Sequence, residues 1–307
     1  MGKRVLITGA TSYLAVALIR KILSEDTDTD IYAVVRPHSA NLGRVPTDSR
    51  IHLTELSMSQ YDRLASLAPD GIRTWYHFAW EGVRGAARED AALQEQNRLG
   101  AVSCIDSALA LRVPVFIGIG SQAEYGNISG KIKESQPPAP DTAYGKKKLQ
   151  VCEYGRRACE GSFTRFLWVR IFSVYGLGEH PGTLLMSAME KLKKSLPLKL
   201  SPCEHLWNYV YLKDAAEALF LLGNGSVEAG IYNLASEDTR PLKDFVLELR
   251  ELLSSESRLD FGAIPCRNGV PCGMHPDIGK IEKALNWKPK YSFRQGITEL
   301  LREREEA

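Results

Sequence analysis

The apolar residues Val5, Leu6 and Ile7 form an unbroken run near the start of the chain. Such a run suits a buried strand of a parallel sheet. Thr8, Gly9 and Ala10 then break it as a tight turn. From Tyr13 onward the apolar positions Leu14, Ala17, Leu18 and Ile22 recur at helical spacing. The alternation continues, with strands expected over 30–35, 50–53, 74–78, 113–118 and 166–171. Helical segments are expected near 58–68, 86–111 and 143–160, the last preceded by a Pro-rich loop at 136–140. Strands alternating with helices through right-handed crossovers predict an α/β fold, a doubly wound parallel sheet. Beyond Phe172 the regularity gives way to Gly- and Pro-containing loops and shorter helices, ending in a charged helix from about Arg294. A smaller C-terminal α/β lobe is expected over the carboxyl edge of the sheet, where ligands of such sheets bind.

A strand, a small-residue turn and an immediate helix also make a phosphate cradle, because the helix's free N–H groups face whatever sits above the turn. Gly9 allows the turn. Ser12 and Ala15 occupy the places of the second and third glycines of a dinucleotide fingerprint. An ordinary first βα unit would read the same way. Further along, Tyr144 and Lys148 lie one helical turn apart and share a face. A neighbouring ammonium favours the phenolate and turns a tyrosine into a usable general acid or base. The run Lys146, Lys147 and Lys148 also fits a solvated helix face. Ser121 follows the fifth strand, where its hydroxyl can reach a substrate oxygen or simply cap a turn.

The 307 residues, 44% hydrophobic and 25% charged, describe a soluble globular chain with a net charge of only +2. That balance argues against nucleic acid or a membrane surface as partner. The first strand begins almost at once, so no signal peptide is expected. The six cysteines, at 104, 152, 159, 203, 266 and 272, form no Cys-x-x-Cys pair and have no histidine cluster. No metal site and no disulfide framework are expected, and the compartment reads as cytoplasmic. Asp26, Asp28 and Asp30 precede strand two and read as solvated loop charge.

Several motifs, in order, carry a resemblance: TGATSYLA at 8–15, HFAW at 77–80, Asn97 with Gly100, GSQAEYG at 120–126 and YGKKK at 144–148. RIFSVYG at 170–176, NYVYLKDAA at 208–216, YNLAS at 232–236 and KALNWKP at 283–289 follow. Together they resemble the extended short-chain dehydrogenases/reductases, the NAD-dependent epimerase/dehydratase family, most of which modify nucleotide sugars. The resemblance implies a Rossmann-type dinucleotide-binding domain at 1–171, with a returning segment at about 208–223. A substrate-binding lobe would be made of 172–207 and 224–307. It implies that Ser121 holds the substrate oxygen, that Tyr144 passes the proton there, and that Lys148 lowers the tyrosine pKa and binds the nicotinamide ribose. Thr8, Gly9, Ala10, Thr11, Ser12, Tyr13 and Leu14 would cradle the pyrophosphate. Glu55 and Leu56 would flank the adenine, while Phe78, Ala79, Asn97 and Ile171 would line the cofactor. Trp80, Gln122, Ser173 and Trp207 would face substrate, with His205 a further candidate; aromatic packing and a surface histidine are the alternatives. The helices after strands four and five resemble a pair that builds a homodimer, with Ala92, Gly100 and Ala108 permitting close approach.

Gln122 and Ala123 stand where dehydratases of the family carry Asp and Glu, which argues against sugar dehydration. Trp207 takes the place of an arginine that commonly grips the diphosphate, and CGMHP before Asp277 lacks another. Arg36 ends strand two with no acid between Val35 and Ser39, which points to NADP rather than NAD. The expected activity is an NADPH-dependent 4-ketoreductase of a nucleotide-activated deoxysugar. The alternatives are an NAD-dependent nucleotide-sugar epimerase and a non-catalytic dinucleotide-binding sensor.

Overall fold

The computed structural model describes residues 2–128, 130–265 and 273–306. Seven parallel strands form the central sheet: β1 (Lys3–Thr8), β2 (Thr29–Val35), β3 (Ile51–Glu55), β4 (Ile72–His77), β5 (Val115–Ser121), β6 (Arg165–Ile171) and β7 (Gly230–Leu234). Their spatial order is β3-β2-β1-β4-β5-β6-β7. Chain order reverses between β1 and β4, and a crevice opens at that switch point. Successive side chains of β1 feed opposite cores. Leu6 joins Val34, Cys104 and Ile105 on one face, and Ile7 joins Leu18, Ile22 and Leu219 on the other. Helices Tyr13–Glu25 and Leu212–Asn224 pack together on the second face, and Ala91–Ala110 and Ala143–Cys159 on the first.

The helix expected from 86 begins at Ala91, because Asp90 caps it by accepting from the N–H groups of Ala92 and Leu93. A separate 3-10 turn, Gly85–Arg88, precedes it. The segment expected as helix at 58–68 divides into a 3-10 stretch, Met58–Arg63, and one α-helical turn, Leu64–Leu67. Strand β5 runs on to Ser121. Strand β7 is a larger departure, because its five residues lie inside the span assigned from sequence to the substrate lobe. It pairs with β6 along its whole length, so the part of the chain that returns to the sheet runs past 223 to 234. Gly100 and Ala108 turn inward rather than outward. A Cβ on Gly100 would stand 2.4 Å from Met58 Cγ, and Ala108 is fully buried.

The smaller lobe holds a mixed sheet of Ser173–Tyr175, Leu206–Tyr211 and Thr239–Pro241. Tyr175, Tyr209, Phe245 and Phe293 pack its core ring against ring. No described helix is long and apolar enough to cross a membrane.

Candidate active site

The turn after β1 is held from beneath. Thr8 Oγ1 sits 2.8 Å from His77 Nδ1 and accepts from Trp75 Nε1 at 3.3 Å. Gly9 has φ +75°, and a Cβ there would lie 2.5 Å from the backbone nitrogen of Ala79. Only glycine suits both the left-handed backbone and that approach. The Phe78 N–H donates to Thr8 O at 2.8 Å, fixing 78–79 alongside the turn. Ser12 caps the helix by accepting from Ala15 N–H, and Ala15 itself is fully buried. Thr11 accepts a hydrogen bond from Ser39, and Tyr13 donates across to Val174 O in the smaller lobe. Leu14 is buried beneath the turn. The first N–H groups of this helix have no intrahelical partner and face the turn, so the cradle fits a dinucleotide pyrophosphate.

At the far end of the crevice, Leu56 is buried and its N–H donates to Val35 O, while Glu55 is exposed at the end of β3. Arg36 is paired. Its Nη1 lies 2.8 Å from Glu81 Oε1, with the two side chains 62% and 45% exposed. Sequence showed no acid between Val35 and Ser39; the carboxylate arrives instead from the loop after β4. Asn97 holds that loop in place, accepting from Glu81 N–H and donating to Glu81 O, both at 2.9 Å. Its amide is thus committed to the Glu81 backbone and to Gln94 Oε1.

The reacting groups meet where β5 ends. Ser121 Oγ accepts from Ala123 N–H, and Ser121 N–H donates to Glu124 Oε1 at 2.8 Å. Ile171 stands beside Ser121 in register on β6. Lys148 Nζ donates to Ile119 O at 2.6 Å and lies over the Trp80 ring at 3.7 Å. Trp80 meets the Tyr144 ring edge-on at 6.0 Å and is anchored by its own N–H to Gln94 Oε1. Gln122 is half-buried beside Ser121.

Burial raises the Tyr144 pKa, opposed by a hydrogen bond with Ser121 and by the nearby cations Arg88 and Arg84. Lys148 Nζ lies 6.0 Å from the Tyr144 ring centre. Burial pushes Lys148 down to about 7, with Glu124 pulling the other way. A desolvated ammonium is a weak field source until something anionic joins it.

Sequence reading missed four of these groups. Glu81, Arg84 and Arg88 sit in a loop without periodicity. Arg88 stacks its guanidinium on Tyr144 at 5.0 Å. Glu124 was legible as the acid of a capping box begun by Ser121. Its carboxylate is fully buried and accepts from Ser121 N–H, Trp168 Nε1 and Arg170 Nε. In the smaller lobe, Ser173 pairs with Tyr209 and Trp207 packs edge-on to His205 at 5.6 Å. Burial lowers the His205 pKa. Nearby, burial pushes Glu179 up to about 7 against a hydrogen bond with Thr183 and the charge of Arg84. Cys104, Cys152, Cys159 and Cys203 are buried, and Cys266 and Cys272 lie outside the described residues, as does the Cys272 end of CGMHP. Among the described residues no cluster could hold a metal ion.

Residues 5–235 match the profile of the NAD dependent epimerase/dehydratase family. Over 97% of this chain and 94% of the relative, the sequence is 24% identical to a dTDP-6-deoxy-L-talose 4-dehydrogenase (NAD(P)(+)) of Kitasatospora kifunensis. The fold matches a Thermus thermophilus UDP-glucose 4-epimerase in complex with NAD at TM-score 0.85, with 20% identity and 99% of each chain covered. It also matches a Streptomyces venezuelae dTDP-glucose 4,6-dehydratase with NAD and TYD bound, at TM-score 0.86 and 23% identity, covering 99% of this chain and 97% of that one.

Proposed function

The chain belongs to the NAD-dependent epimerase/dehydratase family of NAD(P)-dependent enzymes, and from that premise we propose that it is an NADPH-dependent reductase of a 4-keto group on a nucleotide-activated deoxysugar. One observation carries the reading: Ser121 hydrogen-bonds with Tyr144, Trp80 bridges Tyr144 and Lys148, and the two positions after Ser121 carry no acid to eliminate water. Gln122 and Ala123 fill the dehydratase positions, and the Glu124 carboxylate is engaged on Ser121, Trp168 and Arg170.

A bound nicotinamide cofactor, held by the turn after β1, would supply the hydride. Ser121 donates its hydroxyl hydrogen to the substrate's carbonyl oxygen and holds it beside Tyr144. As that oxygen gains charge, Tyr144 gives it the phenolic proton, and the ketone becomes an alcohol. The phenolate left behind is met by Ser121, Arg88 and Arg84. Burial raises the Tyr144 pKa and so makes the phenol a weaker acid, while the hydrogen bond with Ser121 and the charges of Arg88 and Arg84 lower it toward the range in which it can give up its proton. Arg36 would take the 2′-phosphate of NADP.

The pairing of Arg36 with Glu81 favours a second reading, in which Glu81 accepts from a ribose 2′-hydroxyl and the enzyme is an NAD-dependent epimerase. Mass analysis of the nucleotide released from the purified protein, followed by NADPH oxidation on a panel of 4-keto-6-deoxysugar nucleotides differing in base, separates the two. A reductase consumes NADPH stoichiometrically, and Tyr144→Phe lowers that rate by at least about 100-fold, the scale of losing a general acid. Retained NAD with sugar interconversion and no net NADPH consumption would overturn the reductase in favour of the epimerase.

A further inference from the structure

The loop between β4 and the Ala91–Ala110 helix brings two side chains onto the reacting pair. Trp80 lies on the Lys148 ammonium at 3.7 Å, and Arg88 lies over the Tyr144 ring at 5.0 Å. The path of this loop is set by a side chain that the chemistry does not touch. Gln94 stands in the first turn of the Ala91–Ala110 helix and is 0% exposed.

The whole of its amide is used. Gln94 Oε1 accepts from Trp80 Nε1 at 2.8 Å and from Asn97 Nδ2 at 3.2 Å. Gln94 Nε2 donates to Gly82 O at 3.0 Å and to Ala87 O at 2.9 Å, with Glu81 O at 3.5 Å. An indole N–H can only donate and a carbonyl oxygen can only accept, so a single orientation of the amide serves both sides. A glutamate here would set an oxygen against two carbonyls. A leucine or methionine would leave the indole and the carbonyls unmet, which is costly for buried groups. Gly82 is fitted closely against this amide: its φ is +66°, and a Cβ there would lie 2.9 Å from Gln94 Nε2.

The consequences for the site are geometric. By drawing Gly82 O and Ala87 O to one nitrogen, Gln94 closes 82–87 on itself and delivers Arg88 directly after the closure. Arg88 Nε is buried without a hydrogen-bond partner, so the placement of its backbone, not a bond from that nitrogen, keeps the guanidinium over Tyr144. The anchored indole N–H likewise fixes the ring that meets both Lys148 and Tyr144. Just beyond, Glu89 Oε2 accepts from Ala143 N–H at 3.1 Å and joins the end of the loop to the start of the helix carrying Tyr144.

We propose that Gln94 is a positioning residue of the reaction: its amide holds Trp80 against Lys148 and Arg88 against Tyr144. The proposal rests on the reading of Tyr144 and Lys148 as the reacting pair. A misplacement of about 1 Å caused by a change away from the chemistry can cost about 100-fold in rate.

The test is steady-state reduction of the 4-keto-6-deoxysugar nucleotides by the cofactor-loaded enzyme, with the thermal midpoint of each variant reporting its folding. Gln94→Met, of similar length but without the amide, should lower kcat at least about tenfold. Arg88→Gln should lower it as well. In the double variant the loss should fall short of the product of the two single losses by at least about threefold, because residues that act as a unit are not additive. A side chain that served only stability would give losses that multiply. If Gln94→Met does not fold, Gln94→Asn takes its place in the cycle, since it keeps an amide in the pocket but is too short to hold both Trp80 and the two carbonyls. A folded Gln94 variant with kcat within about twofold of wild type, or losses that multiply in the double variant, would overturn the proposal. Tyr144→Phe, measured alongside, separates it from the reading beneath. A rate unchanged in Tyr144→Phe overturns the role of Tyr144 and this proposal with it, whereas a rate lost in Tyr144→Phe but kept in Gln94→Met overturns the role of Gln94 alone.

Discussion

The ammonium of Lys148 lies on the face of Trp80, 3.7 Å from the ring centre. In a buried setting a cation–π contact of this kind is worth up to about 2 kcal/mol, or roughly 1.5 pKa units in favour of the charged lysine. Burial pushes the lysine pKa down, and this contact works in the opposite direction by favouring the charged form. Trp80→Leu should lower its pKa further and move the basic limb of the kcat/KM profile to lower pH. Trp80→Phe should restore most of it. A profile unchanged by Trp80→Leu would remove Trp80 from the electrostatics of the site.

Cofactor choice turns on Arg36 and Glu81. An exposed pair of this kind contributes about 0–1 kcal/mol. A charge-assisted bond from the freed guanidinium to a 2′-phosphate is worth about 1.5–3 kcal/mol. The phosphate is therefore expected to win, by roughly 2- to 150-fold in favour of NADPH, with the lower end set by the ion pair. Glu81→Gln should widen the preference and Arg36→Ala should abolish it. Dissociation constants for both cofactors in the three proteins check this, and tighter NADH binding in the wild type would reverse it.

Acid stability should report His77. Burial pushes this imidazole down to about 3, whereas the unfolded chain takes up its proton near the ordinary value of about 6.5. Between those values the unfolded state holds more protons, so stability rises with pH and is lost as pH falls. His77→Gln should flatten that slope between pH 6.5 and 4.5, read as thermal midpoints. Glu179, raised to about 7, tilts the curve the opposite way over 4.5–7. The difference between wild type and variant cancels it. Parallel curves for the two proteins would mean that His77 is not the group titrating.

Leu99 is 51% exposed midway along Ala91–Ala110. That helix is tied to its neighbour by Lys147 and Glu95 at 2.7 Å. A symmetric dimer through these two helices would cover it. Light scattering at micromolar concentration should give a dimer for the wild type and a monomer for Leu99→Glu. A wild-type monomer would exclude the assembly.

The regular half of the fold was legible because buried parallel strands write themselves as apolar runs and amphipathic helices as periodic ones. Val5–Ile7 and the stripe Leu14 to Ile22 needed no partner to be read. Strand β7 was missed because five residues between irregular loops carry little periodicity, and only pairing with β6 makes them a strand. The site divides the same way. Tyr144 and Lys148 sit on one helix, so their spacing implied proximity. Arg36 and Glu81, 45 positions apart, are neighbours only because β2 and β4 both flank β1. What the spacing did not show is how dry Lys148 is, because burial depends on the packing of β5 and Trp80 against its helix.

The chain leaves the central sheet after Ile171, returns for the Leu212–Asn224 helix and β7, and leaves again. The smaller lobe therefore draws on two separate segments, one on either side of the Leu212–Asn224 helix and β7, and truncation at 172 would strip that helix and an edge strand from the central sheet. Any chimera meant to change the sugar must exchange 172–211 and 235–306 together, because neither segment completes the Ser173–Tyr175, Leu206–Tyr211, Thr239–Pro241 sheet alone.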